Sequence, residues 1–187
     1  MNLVLASKSP RRSEILKNAG YEFVVRVADA DETIPVGTKP EDAVVFLAAR
    51  KAMAVDRADD EIVLGADTIV VLDDKILGKP KDREDAYNML KSLSGRVHSV
   101  FTGVCIIENG RSVTFAEETQ VEFLPLSDED IYKYIDTNDC YDKAGAYGIQ
   151  GYASKFVRRI NGDYFNVVGL PISAIFEKFL QKRKNND

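Results

Sequence analysis

One histidine, His98, and two cysteines, Cys105 and Cys140, are all the imidazole and thiol chemistry in this 187-residue chain. Neither cysteine belongs to a CxxC pair, so a structural or incidental role is expected for both rather than a zinc or redox one. A lone histidine argues against His-rich metal sites, although it leaves a Ser–His or Cys–His pair open. Any metal would then rest on oxygen ligands, which points to Mg²⁺ or Mn²⁺. Long apolar runs are missing too: none approaches the roughly 18–20 residues that cross a bilayer. The opening Met1-Asn2-Leu3-Val4-Leu5-Ala6 has no basic region and soon reaches Ser7-Lys8-Ser9-Pro10, unlike a signal peptide. A cytoplasmic protein with no membrane role is the expectation. Basic charge is not in excess either. With 25 Lys+Arg against 30 Asp+Glu the net charge is −5, which gives no support to nucleic-acid binding, though local basic clusters can still hold phosphate.

What is present is an ordinary globular composition, 45% hydrophobic and 29% charged, long enough for one large domain or two small lobes. Asn2–Ala6 reads as a buried strand. Ser9 offers an N-cap, Pro10 suits the first helical position, and Gly20 closes a helix with Ile15, Leu16 and Ala19 on one face. Glu22–Val27 reads as a strand, Asp29-Ala30-Asp31-Glu32 as an acidic loop, and Pro40 as a helix start. In that helix Lys51 falls beside the apolar stripe of Val44, Leu47, Ala48 and Ala52. Ile62–Leu64 and Ile69–Leu72 read as two strands with a break between them, Asp73-Asp74 as a turn, and Asp82 as the cap of a helix. Val97–Glu108 and Ser112–Leu124 form a hairpin around Asn109-Gly110. Ser127 caps a short helix, and Phe156–Ile160 and Tyr164–Val168 read as a second hairpin around Asn161-Gly162. Pro171 opens a last helix with Ile172, Ile175, Phe176, Phe179 and Leu180 on one face, and the polar tail Gln181–Asp187 is expected to fray. Strands alternate with helices early and hairpins crowd the second half. The expected class is α/β, with a central mixed β-sheet flanked by helices.

Four segments carry residues suited to chemistry. Ser7-Lys8-Ser9-Pro10-Arg11-Arg12 lies between a strand end and a helix start, where N–H groups and the helix dipole favour phosphate and arginine offers bidentate contacts. The competing reading is a capped helix with solvated arginines. Asp67 in Gly65-Ala66-Asp67-Thr68 puts a carboxylate between buried runs, which is costly unless it is paired, hydrated or metal-bound. Lys51, Lys79 in Gly78-Lys79-Pro80, and Glu32 are each weak alone, since a surface lysine or acidic loop is common. Together they supply the cations and carboxylates of a phosphate-and-metal site. Finally, Lys143-Ala144-Gly145-Ala146-Tyr147-Gly148-Ile149-Gln150-Gly151 reads either as a loop whose backbone approaches a ligand while Gln150 reads a polar edge, or as a structural omega loop. It is not a Walker-type phosphate loop.

In this order the segments resemble the Maf family of nucleotide pyrophosphatases. The resemblance rests on Leu5-Ala6-Ser7-x-Ser9-Pro10-Arg11-Arg12, Gly65-Ala66-Asp67-Thr68-Ile69-Val70, Gly78-Lys79-Pro80, Leu93-Ser94-Gly95-Arg96-Val97-His98-Ser99-Val100, Asp142 to Gly151, and Val168-Gly169-Leu170-Pro171. It implies one domain over residues 1–187, elongated, with two lobes around a deep cleft, akin to inosine triphosphatase. It also implies cation-aided hydrolysis of a nucleoside triphosphate between its α- and β-phosphates, a house-cleaning activity with a link to cell-division arrest. By position, Asp67 resembles the proton acceptor and a metal ligand with Glu32. Ser7, Arg11, Glu32, Lys51 and Lys79 resemble the phosphate-and-metal cluster, with Ser9 beside it. Arg12, Thr68 and Gln150 resemble the positions that set base preference, here similar to the dTTP/UTP-cleaving branch rather than the sister branch that prefers 7-methyl-GTP. A divalent metal cofactor, a small nucleotide substrate, some activity on CTP or modified uridine triphosphates, and a homodimer follow as expectations. Two competing readings are a non-enzymatic regulator acting through a protein partner and a phosphatase that releases orthophosphate.

Overall fold

The computed structural model describes residues 2–180, so the tail Gln181–Asp187 lies outside the described residues. Seven strands form one sheet among them: β1 (Asn2–Leu5), β2 (Phe23–Val25), β3 (Glu61–Leu72), β4 (Lys75–Leu77), β5 (Val97–Glu108), β6 (Arg111–Phe123) and β7 (Val157–Asn161). Their order is β2-β1-β3-β5-β6-β7, with β4 paired to β3. β1 runs parallel to β2 and β3, whereas β4 on β3 and β7 on β6 are antiparallel. The sheet is mixed: β1 lies parallel to its neighbours across connections that carry α1 and α2, a two-residue turn joins β3 to β4, and β7 returns antiparallel to β6 after α4. Its helices are α1 (Pro10–Asn18), α2 (Pro40–Ala54), α3 (Arg83–Leu93), α4 (Asp128–Ile135), α5 (Tyr164–Val168) and α6 (Ile172–Ile175), the last running into a π-turn over Phe176–Leu180.

The chain divides into two compact units. Met1–Asp67, Thr102–Glu117 and Gly169–Asp187 make the first, and Thr68–Phe101 and Glu118–Val168 the second. In the first unit α2 covers Val4, Val63 and Ile107 with Ala48 and Ala52. Its closeness depends on two strand glycines. A Cβ on Gly65 would sit 2.4 Å from the Ala48 carbonyl oxygen, and one on Gly103 would sit 2.2 Å from the carbonyl of Val44. Neither space admits a side chain, so both glycines serve helix–sheet contact. This corrects the expected strand break at Gly65-Ala66-Asp67-Thr68, because β3 runs unbroken through all four residues. Gly65 is there to admit α2, not to turn the chain.

The second unit packs α3 through Ala86, Leu90 and Leu93, and α4 through Ile131, Tyr134 and Ile135, around Phe123 and Phe156. Both helices start as their sequences predict: Asp82 accepts from the Asp85 N–H at 2.8 Å and Ser127 from the Asp130 N–H at 3.1 Å. Asp73-Asp74 and Asn109-Gly110 all take positive φ, as two-residue hairpin turns require. The second expected hairpin is not formed. β7 pairs with β6, and Tyr164–Val168 is helical. The reason is a polar knot on Thr119. Its Oγ1 accepts from the Asp163 N–H (3.0 Å) and Asn166 Nδ2 (2.9 Å) and donates to the Asp163 carbonyl (3.1 Å). Asp163 Oδ1 then accepts from the Phe165 N–H at 2.8 Å and starts the helical turn. These contacts override the strand preference of Tyr-Phe-Asn-Val-Val. At the last helix Ile175 and Phe179 are buried as expected, but Phe176 is 39% exposed. Both cysteines are buried and free, Cys105 in the core of the first unit and Cys140 in that of the second. Burial pushes the Cys105 thiol up to about 11, which suits a packing role.

Candidate active site

Most of the candidate residues lie in the first unit, and Ser7, Ser9, Arg11 and Arg12 lie between the end of β1 and the first turn of α1. Pro10 holds the first helical position, as expected, but Ser9 does not cap with its side chain. Its N–H instead donates to Ser7 Oγ at 3.2 Å, which turns Ser9 towards the preceding loop. Ser7 and Arg12 are both buried. Arg12 donates from Nε to the Gly169 carbonyl (2.8 Å) and from Nη1 to the Ala66 carbonyl (2.8 Å) and Ser7 Oγ (3.0 Å). It thereby joins the Ser7 loop, β3 next to Asp67, and the chain at Gly169. Burial pulls the Arg12 guanidinium below its ordinary value, the charge of Asp67 opposes this, Arg11 adds to it and Glu32 opposes it. Asp67, Arg11 and Glu32 therefore each lie within electrostatic reach of Arg12, with Arg11 half-buried on the first turn of α1. Arginine stays protonated at neutral pH even so.

The second feature lies where α2 crosses β3. Gly65 and Asp67 are two residues apart on a strand and share a face. Gly65 lets α2 come close, and Lys51 of α2 then reaches Asp67: Nζ stands 2.6 Å from Asp67 Oδ1 and 3.0 Å from Glu32 Oε1. The side chains of Lys51 and Asp67 are only 20% and 13% exposed, so the lysine beside the apolar stripe pairs with carboxylates instead of simply reaching water. A charge so far out of water needs such a partner. Within the acidic loop the roles divide clearly. Asp31 accepts from the Thr33 N–H and from Arg50, and these bonds, with Thr33 the stronger influence, hold its carboxyl down to about 2. Glu32 is the residue turned to Lys51.

The oxygen donors present suit a hard divalent cation. Glu32 and Asp67 already converge on one positive centre, the Lys51 ammonium, so two carboxylates can share a single cation. Among the described residues no group of three or more His, Cys, Asp or Glu side chains converges. Such an ion would complete its shell with water and substrate oxygens, as Mg²⁺ commonly does.

Thr68, Lys79 and Gln150 belong to the second unit. Thr68 follows Asp67 on β3 and is half-buried; Lys79 and Gln150 are exposed. The loops that carry the latter two are tied together, since the Gly145 N–H donates to the Gly78 carbonyl at 3.0 Å. The glycine-rich loop is built inward. Gly145, at φ 66°, lies against Val70, and a Cβ on Gly148 would fall 2.7 Å from Cε of Lys143. Tyr147 is buried with its hydroxyl 2.7 Å from His98 Nε2. The glycines thus make room for the protein's own side chains, the omega-loop alternative, and Gln150 stands exposed at the end of a fixed segment. Sequence reasoning missed two supporting contacts, the Gly169 carbonyl under Arg12 and the Lys143 ammonium on Asp139 and Asp142. Gly169 lay in a matching motif with no chemistry to mark it. The residues Asp139, Asp142 and Lys143 at a helical spacing were the available signal for the second.

No helix among the described residues is long and apolar enough to cross a membrane. A family model described as Maf-like protein matches residues 2–182. The dTTP/UTP pyrophosphatase of a Thermoanaerobacter species is 51% identical over 181 residues, covering 95% of this chain and 94% of that protein. The dTTP/UTP pyrophosphatase of Bacillus anthracis is 49% identical over 180 residues, covering 96% and 94%. Among solved structures, the Staphylococcus aureus Ham1 protein is 16% identical with a TM-score of 0.47, covering 66% of this chain and 72% of that one.

Proposed function

This chain belongs to the Maf family, and we propose from that premise that it is a nucleoside triphosphate pyrophosphatase that hydrolyses dTTP and UTP to the monophosphate and pyrophosphate. The observation that carries the reading is Lys51 bridging Asp67 and Glu32 beside the buried Arg12. A triphosphate repels hydroxide strongly in water, so the chain must offset negative charge and hold a base where water can reach it. Asp67 is that base. Its carboxylate is oriented by Lys51 and takes the proton as the oxygen of water joins phosphorus and the α–β anhydride bond breaks. Glu32 and Asp67 would hold a divalent cation, which when bound lowers the pKa of water and offsets phosphate charge. Ser7, Ser9, Arg11 and Lys79 donate to phosphate oxygens. Arg12 and Thr68 set base preference, with Arg12 acting through the Ala66 and Gly169 carbonyls that it holds. Gln150 reads the acceptor–donor edge of uracil or thymine with its amide, and because an amide can flip, measurable activity on CTP belongs to the same reading.

The test is hydrolysis of dTTP, UTP, CTP, GTP and 7-methyl-GTP with the products identified, with and without divalent metal. Pyrophosphate and monophosphate are expected from dTTP and UTP, with turnover abolished by EDTA and restored by Mg²⁺ or Mn²⁺. Orthophosphate as the first product, or full turnover after rigorous chelation, would overturn the reading. We take residues 1–187 as one domain of a cytoplasmic homodimer, which sedimentation at several concentrations checks.

A further inference from the structure

The second unit contains a buried cation that the reaction does not use. Lys143 stands at the head of the loop that ends in Gln150, and its side chain is only 10% exposed. Nζ donates to Asp139 Oδ1 at 2.8 Å, to Asp142 Oδ1 at 2.7 Å and to the Asp139 carbonyl, so all three of its protons have acceptors. The stem of Lys143 runs under Gly148 so closely that a Cβ there would meet Cε at 2.7 Å and Cδ at 2.9 Å. The loop is also fixed by the Gly145 N–H on the Gly78 carbonyl and by the Tyr147 hydroxyl on His98. Gly145 and Ala146 are held at φ 66° and 59°. For alanine that is a sparsely populated conformation, and it persists only where the surroundings determine it.

From this geometry we propose that Lys143 is a positioning residue for base selection: its ammonium anchors the loop and its stem supports Gly148, which together fix the place from which Gln150 meets the nucleobase. The inference rests on the reading of Gln150 as the base-reading residue. An amide discriminates only if its approach is fixed, and displacement of about 1 Å in a positioning group can cost on the order of 10²-fold. Asp139 and Asp142 are 46% and 60% exposed, so water can solvate them when the ammonium is removed. Lys143→Met keeps the apolar stem and removes only the anchor.

Three variants, Lys143→Met, Gln150→Ala and the double variant, are assayed on UTP, dTTP and GTP with folding checked by circular dichroism. Lys143→Met is expected to lower kcat/KM for UTP and dTTP by about 10-fold, mainly through KM, and to leave GTP within about 2-fold. In the double variant the two effects are expected to overlap, with the loss close to that of Gln150→Ala alone. Equal losses on all three nucleotides, or additive losses in the double variant, would overturn the positioning role. Should Gln150→Ala itself lower all three by one factor, the base-reading premise fails, whatever Lys143 does. Gly148→Ala provides a second route if Lys143→Met does not fold. It pushes the lysine stem aside without removing charge, and unchanged pyrimidine selectivity in that variant would also overturn the proposal.

Discussion

The region around Arg12 in the first unit and the glycine-rich loop in the second each withdraw a long cation from solvent, and they do so in opposite ways. Arg12 gives Nε and Nη1 to two carbonyls and a hydroxyl, bonds that fix geometry and neutralise none of its charge. Lys143 gives its protons to two carboxylates and a carbonyl, so its charge is cancelled on the spot. The first arrangement ties three stretches of chain to a cation within electrostatic reach of Asp67 and Glu32. The second leaves a quiet, rigid support. A burial pattern alone would call both residues structural. The acceptors in these bonds tell them apart, since carbonyls and a hydroxyl position a cation whereas carboxylates also screen it.

The largest effect expected from this contrast is at Asp67, which pairs with Lys51 and whose charge acts on Arg12. Asp67→Asn is nearly isosteric, retains an acceptor for Lys51 and deletes one charge. Turnover of UTP is expected to fall by about 10²–10⁴-fold while thermal stability changes little. Steady-state kinetics beside a melting curve check this. A well-folded variant with near-wild-type turnover would remove Asp67 from the chemistry and leave the Lys51 pair as a purely structural one.

Next in size is Arg12→Met, which sharpens the comparison by removing the cation that meets only neutral acceptors in those three bonds. The Ala66 and Gly169 carbonyls lose their guanidinium donors inside the protein, and hydrogen bonds to a charged group contribute about 1.5–3 kcal/mol each. A loss of about 3–5 kcal/mol is expected, seen as a lower urea midpoint. Activity should fall on every nucleotide and fall further on dTTP and UTP than on GTP, because the variant frees β3 at Asp67 and at Thr68 beside it. Arg12→Lys should recover only part of the stability, since one ammonium cannot span the positions of Nε and Nη1. A change of selectivity at full stability would mean that Arg12 contacts the nucleotide directly.

Much of this contrast could be read from residue types, and the misreadings have physical reasons. Caps, two-residue turns and apolar stripes are local, so Asp82, Ser127, Asn109-Gly110 and the inner face of α3 stand as their sequence implies. The site was legible where one residue type had one cost: a carboxylate between buried runs needed a partner, and Lys51 supplies it. What failed depended on distant contacts. Tyr164–Val168 has strand-like residues, but Thr119, some 44 positions earlier in the chain than Asp163, turns it into a helix. Gly65 looks like a strand break until α2 is known to lie on it. The glycines of the second-unit loop left ligand-facing backbone and a structural omega loop equally open, and only the distant Val70 and the loop's own Lys143, which fill the space, decide for the second.

The smallest effect concerns acid, and it tests whether the second unit is as electrically quiet as the Lys143 arrangement implies. His98 is buried beside the rings of Phe123 and Tyr147, both met edge-on, and its Nδ1 has no hydrogen-bond partner among the described residues. Burial lowers its pKa from 6.5 to about 4. In the unfolded chain the ring binds a proton below about 6.5, whereas in the folded protein it does so only below about 4. Between those values the unfolded state holds more protons, so stability is complete above pH 6.5 and declines as the pH falls through the window. The whole loss is about 3 kcal/mol, reached at or below pH 4. His98→Gln keeps a polar group that can bond to the Tyr147 hydroxyl but cannot titrate. Thermal melting of both proteins at pH 7, 6, 5 and 4 should show a steeper decline in the wild type, with the two curves parallel above about pH 6.5. If the two proteins lose stability in step down to pH 4, the histidine is not the acid-sensitive group. The carboxylates held low in the folded protein, Asp31 beside Thr33 and Arg50 and Glu61 beside Arg26, would then be the next to vary.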